Sequence, residues 1–151
     1  MDVTRWSTKH FNDLTPDEIY EMYVLRQKVF VVEQNCAYQD ADDKDRYSYH
    51  LFGYTSDSLS AYLRILPPNT SFNEVSIGRV LISKENRNLG IGKKLMRKGI
   101  KESYRIFSTK TIRISAQTYL IKFYESLGFI QINKPYLEDD ILHIEMLLNN
   151  D

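Results

Sequence analysis

The segment Arg87-Asn88-Leu89-Gly90-Ile91-Gly92 sets two glycines between the apolar run ending at Ile82 and a basic amphipathic stretch. In that stretch Ile91 and Leu95, then Met96, Ile100 and Tyr104, recur at i, i+4 spacing, which predicts a helix from about Ile91 to Arg105. A strand, a glycine turn and a helix in succession leave little freedom. The first backbone N–H groups of the helix have no intrahelical partner, and the positive end of the helix dipole lies over the turn. An anionic group such as a phosphate fits there, and Arg87, Lys93 and Lys94 add positive charge nearby. Two common phosphate motifs fail. A G-x-G-x-x-G fingerprint from Gly90 needs glycine or alanine where Leu95 stands, and a P-loop ending at Gly92-Lys93 needs glycine where Arg87 stands. The pattern left is R-x-x-G-x-G, which by itself also suits an ordinary turn.

Around this turn the chain reads as alternating short elements. Residues 3–7 alternate like a strand. Thr15-Pro16-Asp17-Glu18 starts a helix, with Thr15 as N-cap, Pro16 at the first helical position and Glu18 completing a capping box. That helix is expected over 16 to about 31, followed by a polar, acidic loop over 35–48. Strands follow at 50–55, 59–66 and 74–82. In the last, Val75, Ile77 and Leu81 are expected on one face and Val80 and Ile82 on the other, with Gly78 hinting at a bulge. Beyond the basic helix come a strand at 111–116, a helix at 119–127 capped by Gly128, and strands at 129–132 and 142–148. The order is neither all-α nor a regular βαβ repeat. It predicts a single domain over 1–151 of the α/β (α+β) type, a mixed sheet of six to seven strands with helices on both faces.

Composition excludes the extremes. Lys+Arg and Asp+Glu are 20 each, and no apolar run exceeds four residues, Val29–Val32 being one, far short of the roughly twenty that span a bilayer. The start, MDVTRWSTKH, lacks the apolar centre of a signal peptide, and the single Cys36 permits no internal disulfide, so a reducing cytoplasm is the expected location. Neutrality conceals segregation. Lys84 to Arg105 carries eight Lys or Arg against two Glu, a local +6, whereas Glu33 to Asp45 carries five acids against one lysine, a local −4. His10, His50 and Cys36 have no metal-ligand spacing, and no metal site is expected; Cys36 reads as a small buried thiol.

A second segment sharpens the reading of the turn. In QTYLIKFYESLGF, Phe123-Tyr124 is followed by Glu125-Ser126-Leu127-Gly128-Phe129. With both segments in this order and about 35 residues apart, the chain resembles the GNAT superfamily of acetyl-CoA-dependent N-acetyltransferases. The stretches FVVEQNCAYQD, AYLRIL, IGRVLIS and DDILHIEM look like its ElaA-type branch. The resemblance implies a GNAT-like fold with acetyl-CoA as co-substrate. It implies that the backbone of Val80, Leu81 and Ile82 pairs with the pantetheine arm, and that Arg87, Asn88, Leu89, Gly90, Ile91, Gly92 and Lys93 hold the pyrophosphate. Gln117 falls where many relatives place an arm-contacting asparagine. Tyr124 would protonate the departing CoA thiolate, a task that suits a phenol because it stays protonated at neutral pH.

The base that would deprotonate an acceptor amine is less determined. Some members of the superfamily carry a glutamate on the strand before the turn, but the matching position, eleven residues before Arg87, is Ser76. Glu74, Glu33 and His143 are the substitutes, each with an ordinary structural alternative, and a water chain is equally open. Arg64 and Arg79 interrupt apolar strands. A buried charge needs a partner, so they either pair with acids such as Glu33, Asp40, Asp42 or Asp43, or bind a carboxylate on the acceptor.

Three classes of function follow. The first is an N-acetyltransferase acting on a small-molecule or peptide amine, as monomer or homodimer, without nucleic-acid or membrane partners. The second is a catalytically silent acyl-CoA sensor. The third, nucleic-acid binding through the +6 segment, fits poorly because that segment lacks interleaved aromatics.

Overall fold

The computed structural model describes residues 2–150. Its sheet has seven strands in the order β1-β2-β3-β4-β5-β7-β6. They are β1 Arg5–His10, β2 Tyr49–Thr55, β3 Ser58–Leu66, β4 Val75–Ile82, β5 Thr111–Gln117, β6 Ile130–Glu138 and β7 Ile141–Asn149. The helices are α1 Pro16–Arg26, α2 Ile91–Phe107 and α3 Ile121–Glu125. Every neighbouring pair is antiparallel except β4 and β5, which are parallel.

Local chemistry explains most boundaries. Thr15 Oγ1 accepts from the Glu18 N–H at 3.1 Å while the Glu18 carboxylate accepts from the Thr15 N–H at 2.9 Å, the capping box read from the sequence. The helix does not run on to residue 31 in α form. It widens after Arg26 into a π-helical segment, Gln27–Glu33, that carries buried Val29 and Phe30 and ends with Glu33 at the cleft described below. α3 is shorter than expected because Thr118–Leu120 form a 3₁₀ turn first. It closes with a Schellman motif: the Phe129 N–H donates to Tyr124 O and the Gly128 N–H to Glu125 O, with Gly128 at φ +100°. β6 outruns the expected 129–132. Its pairing with β7 is irregular between Ile132 and Tyr136, where Asn133 has a φ of +62° and Pro135 is tolerated because β6 is an edge strand.

Two cores cover the two faces. On one, α2 and α3 bury Ile91, Leu95, Met96 and Tyr124 against Leu63, Ile77, Ile114 and Met146, among others. On the other, Leu14, Met22, Val29 and Phe30 cover Phe52, Tyr54, Tyr62 and Leu81. Each fully buried Ile, Leu or Met contributes roughly 1.5–3 kcal/mol by leaving water. No helix among the described residues is long and apolar enough to cross a membrane.

The face assignment within β4 needs correction. Tyr62 lies opposite Leu81, but Arg64 lies opposite Gly78, so two steps along β3 meet three along β4. The extra residue is a bulge next to Gly78, at Arg79, whose φ is +51°. Strand alternation is thereby reset by one residue. Val75 and Ile77 share the α2 face with Val80 and Ile82, while Leu81 turns to the α1 face.

α2 approaches β3 closely at Gly99, where an added Cβ would lie 2.7 Å from Leu63 Cδ2. Leu63 is fully buried. Gly99→Ala is therefore expected to lower unfolding free energy by about 1–2 kcal/mol, overpacking outweighing the gain in helix propensity. Urea denaturation measures this, and combining it with Leu63→Val should cost less than the sum of the two single changes.

Candidate active site

β4 and β5 hydrogen-bond only at their beginnings, where Val75 lies opposite Ile112 and Ser76 opposite Arg113. Beyond these pairs the strands part and leave a cavity of about 1060 Å³ between them. Its walls come from both strands, from the π-helical segment and from the β6–β7 hairpin. On β4 the hydrogen-bond parity is readable. Ser83 donates its N–H to Ser60 O at 2.8 Å, so the neighbouring Ile82 directs its N–H and C=O away from β3, into the gap. Val80, Leu81 and Ile82 line the same cavity.

The glycine turn follows Arg87, beyond the cavity lining. Asn88 and Gly90 adopt φ of +65° and +76°, and Gly90 is the N-cap of α2. Nothing lies within 4 Å of a Cβ built on Gly90, so conformation rather than space calls for glycine there. Gly92 does face a neighbour, with Phe123 3.5 Å from its would-be Cβ. Lys93 is exposed at the helix start. Lys94 is turned away to Asp2, at 2.7 Å. Arg87 donates from Nε to Ile82 O at 3.0 Å, and its Nη1 lies 2.8 Å from Glu33 Oε2.

Tyr124 is buried, with its ring edge-to-face against Phe123 and Phe129 at centroid distances of 5.1 and 5.9 Å. Burial pushes its phenol well above the usual value, so it is protonated at neutral pH. Among the described residues its hydroxyl has no hydrogen-bond partner, and the residue lines the cavity. Gln117 ends β5 opposite His143 of β7, and both residues line the cavity. His143 Nδ1 lies 2.7 Å from Ile141 O and so carries the proton, while Nε2 is 3.5 Å from Glu138. Tyr136 stacks on His143 and hydrogen-bonds Ser115. Glu74 does not line the cavity; it lies 3.6 Å from Arg113, which is also bound to Glu145 at 2.8 Å.

The arginines of β3 and β4 find aspartates. Arg64 Nη1 donates to Asp42 at 2.6 Å and Asp45 at 2.9 Å; Arg79 Nε lies 2.7 Å from Asp40. Of the four acids expected as partners, Asp40 and Asp42 serve. Asp43 does not, and Glu33 is taken by Arg87.

A third arginine, Arg26, escaped the sequence reading although it lies four residues after buried Met22 and four before buried Phe30. Fully buried, it donates to Asp40 at 2.6 Å and Asp45 at 2.8 Å. Its Nη1 also reaches Tyr62 Oη at 3.4 Å. His50 completes a ring. Its Nε2 lies 2.9 Å from the Asp45 carbonyl and therefore carries the proton, leaving Nδ1 to accept from the Tyr62 hydroxyl at 2.6 Å. Cys36, expected buried, is half-exposed, its thiol 3.5 Å from Asp139 O.

Parted parallel strands, a glycine turn opening a basic helix and a protonated phenol between them define an acyltransferase scaffold. A family model described as an acetyltransferase (GNAT) domain matches residues 11–149, and the chain belongs to this GNAT acetyltransferase family. It is 46% identical to a UPF0039 protein of Synechocystis sp., with 94% of this chain and 93% of that protein aligned. Among solved structures, an acyl-CoA N-acyltransferase from Pseudomonas aeruginosa shares 40% identity at a TM-score of 0.91, covering 95% of this chain and 98% of that one. Escherichia coli ElaA shares 37% at a TM-score of 0.90, covering 96% and 99%.

Burial pushes His50 down from 6.5 to about 4. Burial opposes charge on Asp45 too, but hydrogen bonds and attraction from Arg26 and Arg64 prevail and bring it from 3.8 to about 2. Both groups bind fewer protons folded than unfolded. His50 therefore contributes stability that is complete above pH 6.5 and lost as pH falls toward 4, and Asp45 stability lost between 3.8 and 2. Denaturant titrations should show unfolding free energy falling by about 2–3 kcal/mol between pH 7 and 4.5, a slope that His50→Gln flattens.

Proposed function

We propose that the protein is an acyl-CoA-dependent N-acetyltransferase that moves an acetyl group from acetyl-CoA to a primary amine by direct attack on the thioester. The observation that carries this reading is Tyr124: buried, kept protonated, without a hydrogen-bond partner among the described residues, and lining the cleft between β4 and β5. The name of a relative that shares 40% identity across nearly the whole chain, an acyl-CoA N-acyltransferase, supports it.

In this reading the gap beside β4 takes the pantetheine arm. Ile82 offers its backbone N–H there, its carbonyl being bound by Arg87, and Val80 and Leu81 form the adjoining wall. Arg87 and the turn Asn88 to Lys93 take the pyrophosphate at the start of α2. Gly92, in the first turn of α2, lies beside Phe123 of α3, the helix that carries Tyr124. Gln117 reaches the arm from β5. The amine nitrogen forms a bond to the thioester carbonyl carbon, the carbon–sulfur bond breaks, and the leaving thiolate takes the Tyr124 proton. The amine gives up its own proton to solvent or to a cleft group such as His143, which lies opposite Gln117 of β5.

Tyr124→Phe keeps the packing and removes the proton. Turnover is expected to fall about 100-fold, while calorimetry finds the acetyl-CoA Kd within about twofold of wild type. CoA release from acetyl-CoA, followed across polyamines, amino acids and lysine-containing peptides, identifies the acceptor class. Unchanged turnover in the variant would remove Tyr124 from the chemistry. Tight CoA binding with no release for any amine would instead favour a silent acyl-CoA sensor.

A further inference from the structure

Most carboxylates around the cleft, Asp139 excepted, lie within 4 Å of a basic side chain. Asp40 is held by Arg26 and Arg79, Asp42 by Arg64, Asp45 by Arg26 and Arg64, and Glu145 by Arg113. Glu138 lies 3.5 Å from His143. Glu33 differs in which cation holds it. Its one cation within 4 Å among the described residues is Arg87, at 2.8 Å, and both side chains are about one-third exposed, 30% for Glu33 and 37% for Arg87.

Arg87 is the cation that stands where the strand edge meets the glycine turn. Its Nε occupies the Ile82 carbonyl, which faces the gap, and its Nη1 occupies Glu33. One guanidinium therefore links the edge of β4, the turn that opens α2 and the end of the π-helical segment on the opposite wall. A diphosphate, with more charge and more acceptor oxygens than a carboxylate, competes well for a guanidinium. Among the described residues Glu33, once it loses Arg87, has no other cation within 4 Å.

We infer that Glu33 is the carboxylate that receives the acceptor's ammonium group, and that Arg87 masks it until the diphosphate of acyl-CoA draws the guanidinium away. The inference rests on reading the cleft as an acyl-CoA site. It assigns the acceptor to cationic amines and gives the two substrates an order, acyl-CoA before amine. Glu33 thus opposes acyl-CoA binding and promotes amine binding, whereas a side chain that merely braced the fold would weaken both.

The test compares wild type with Glu33→Gln, a half-exposed position where folding is easily verified by thermal melting. Calorimetry uses CoA and, separately, pantetheine, which lacks the diphosphate. The variant should bind CoA about two- to fivefold more tightly, the scale of one partly exposed ion pair, and pantetheine with unchanged affinity. The KM for the amine that wild type turns over fastest should rise about tenfold. CoA binding that is equal to or weaker than wild type overturns the inference, as does an unchanged amine KM. If wild type itself fails to bind CoA, the acyl-CoA reading of the cleft falls, a result separable from failure of the Glu33 assignment.

Discussion

Arg26 has a fully buried guanidinium, and a bare charge at that depth would cost several kcal/mol. The fold neutralises it with Asp40 and Asp45, then shares those aspartates with Arg79 and Arg64. Because Arg26 ends α1, Arg64 and Arg79 belong to the sheet, and the aspartates lie between α1 and β2, the cluster fastens three parts of the chain at one point. Such networks gain less from Coulomb attraction than their distances suggest, since desolvation opposes them. They penalise alternatives, however, because removing one member strands another charge. His50 and Tyr62 extend the constraint into the sheet through a ring whose hydrogen-bond directions are set by the Asp45 carbonyl, which can only accept.

That cluster holds one wall of the cleft, and the parting of β4 from β5 makes the other. The bulge at Arg79 serves both. It breaks the alternation of β4 so that Arg79 reaches Asp40 while Val80 and Ile82 return to the α2 face. Backbone strain at a non-glycine residue with φ of +51° is sustained by the ion pair at the end of its own side chain. Structural charge and the chemical site are thus built from adjacent residues, with Arg87 and Glu33 linking them across the gap.

Much of this was legible in the chain. The Thr15 capping box, the Gly128 cap and the α2 repeat are satisfied by residues within five positions of one another, and they form as read. The tyrosine-bearing segment and the glycine turn were found by motif, and Tyr124 and Arg87 do reach one cavity. That Arg64 and Arg79 need a carboxylate, from the fold or from an acceptor, followed from their place in apolar strands, and the fold supplies it from Asp42 and Asp40. Leu81 was assigned to the wrong face because alternation assumes an unbroken strand, and only pairing with β3 reveals which residue is extra. Arg26 went unnoticed because an arginine ending a helix is ordinarily solvated; its burial depends on a loop that begins well beyond the helix.

The sequence by itself determined most of which segments become strands and helices and where the turns fall, because those outcomes depend on propensity, capping and spacing over a few residues. The tertiary structure alone decided where β4 leaves β5, which aspartate meets which arginine, and that Glu33 faces Arg87. These contacts join residues 14 to 39 positions apart in the arginine cluster alone, and they are chosen by competition among several acids and bases of equal local merit. Only packing and the cost of an unpaired buried charge select among them.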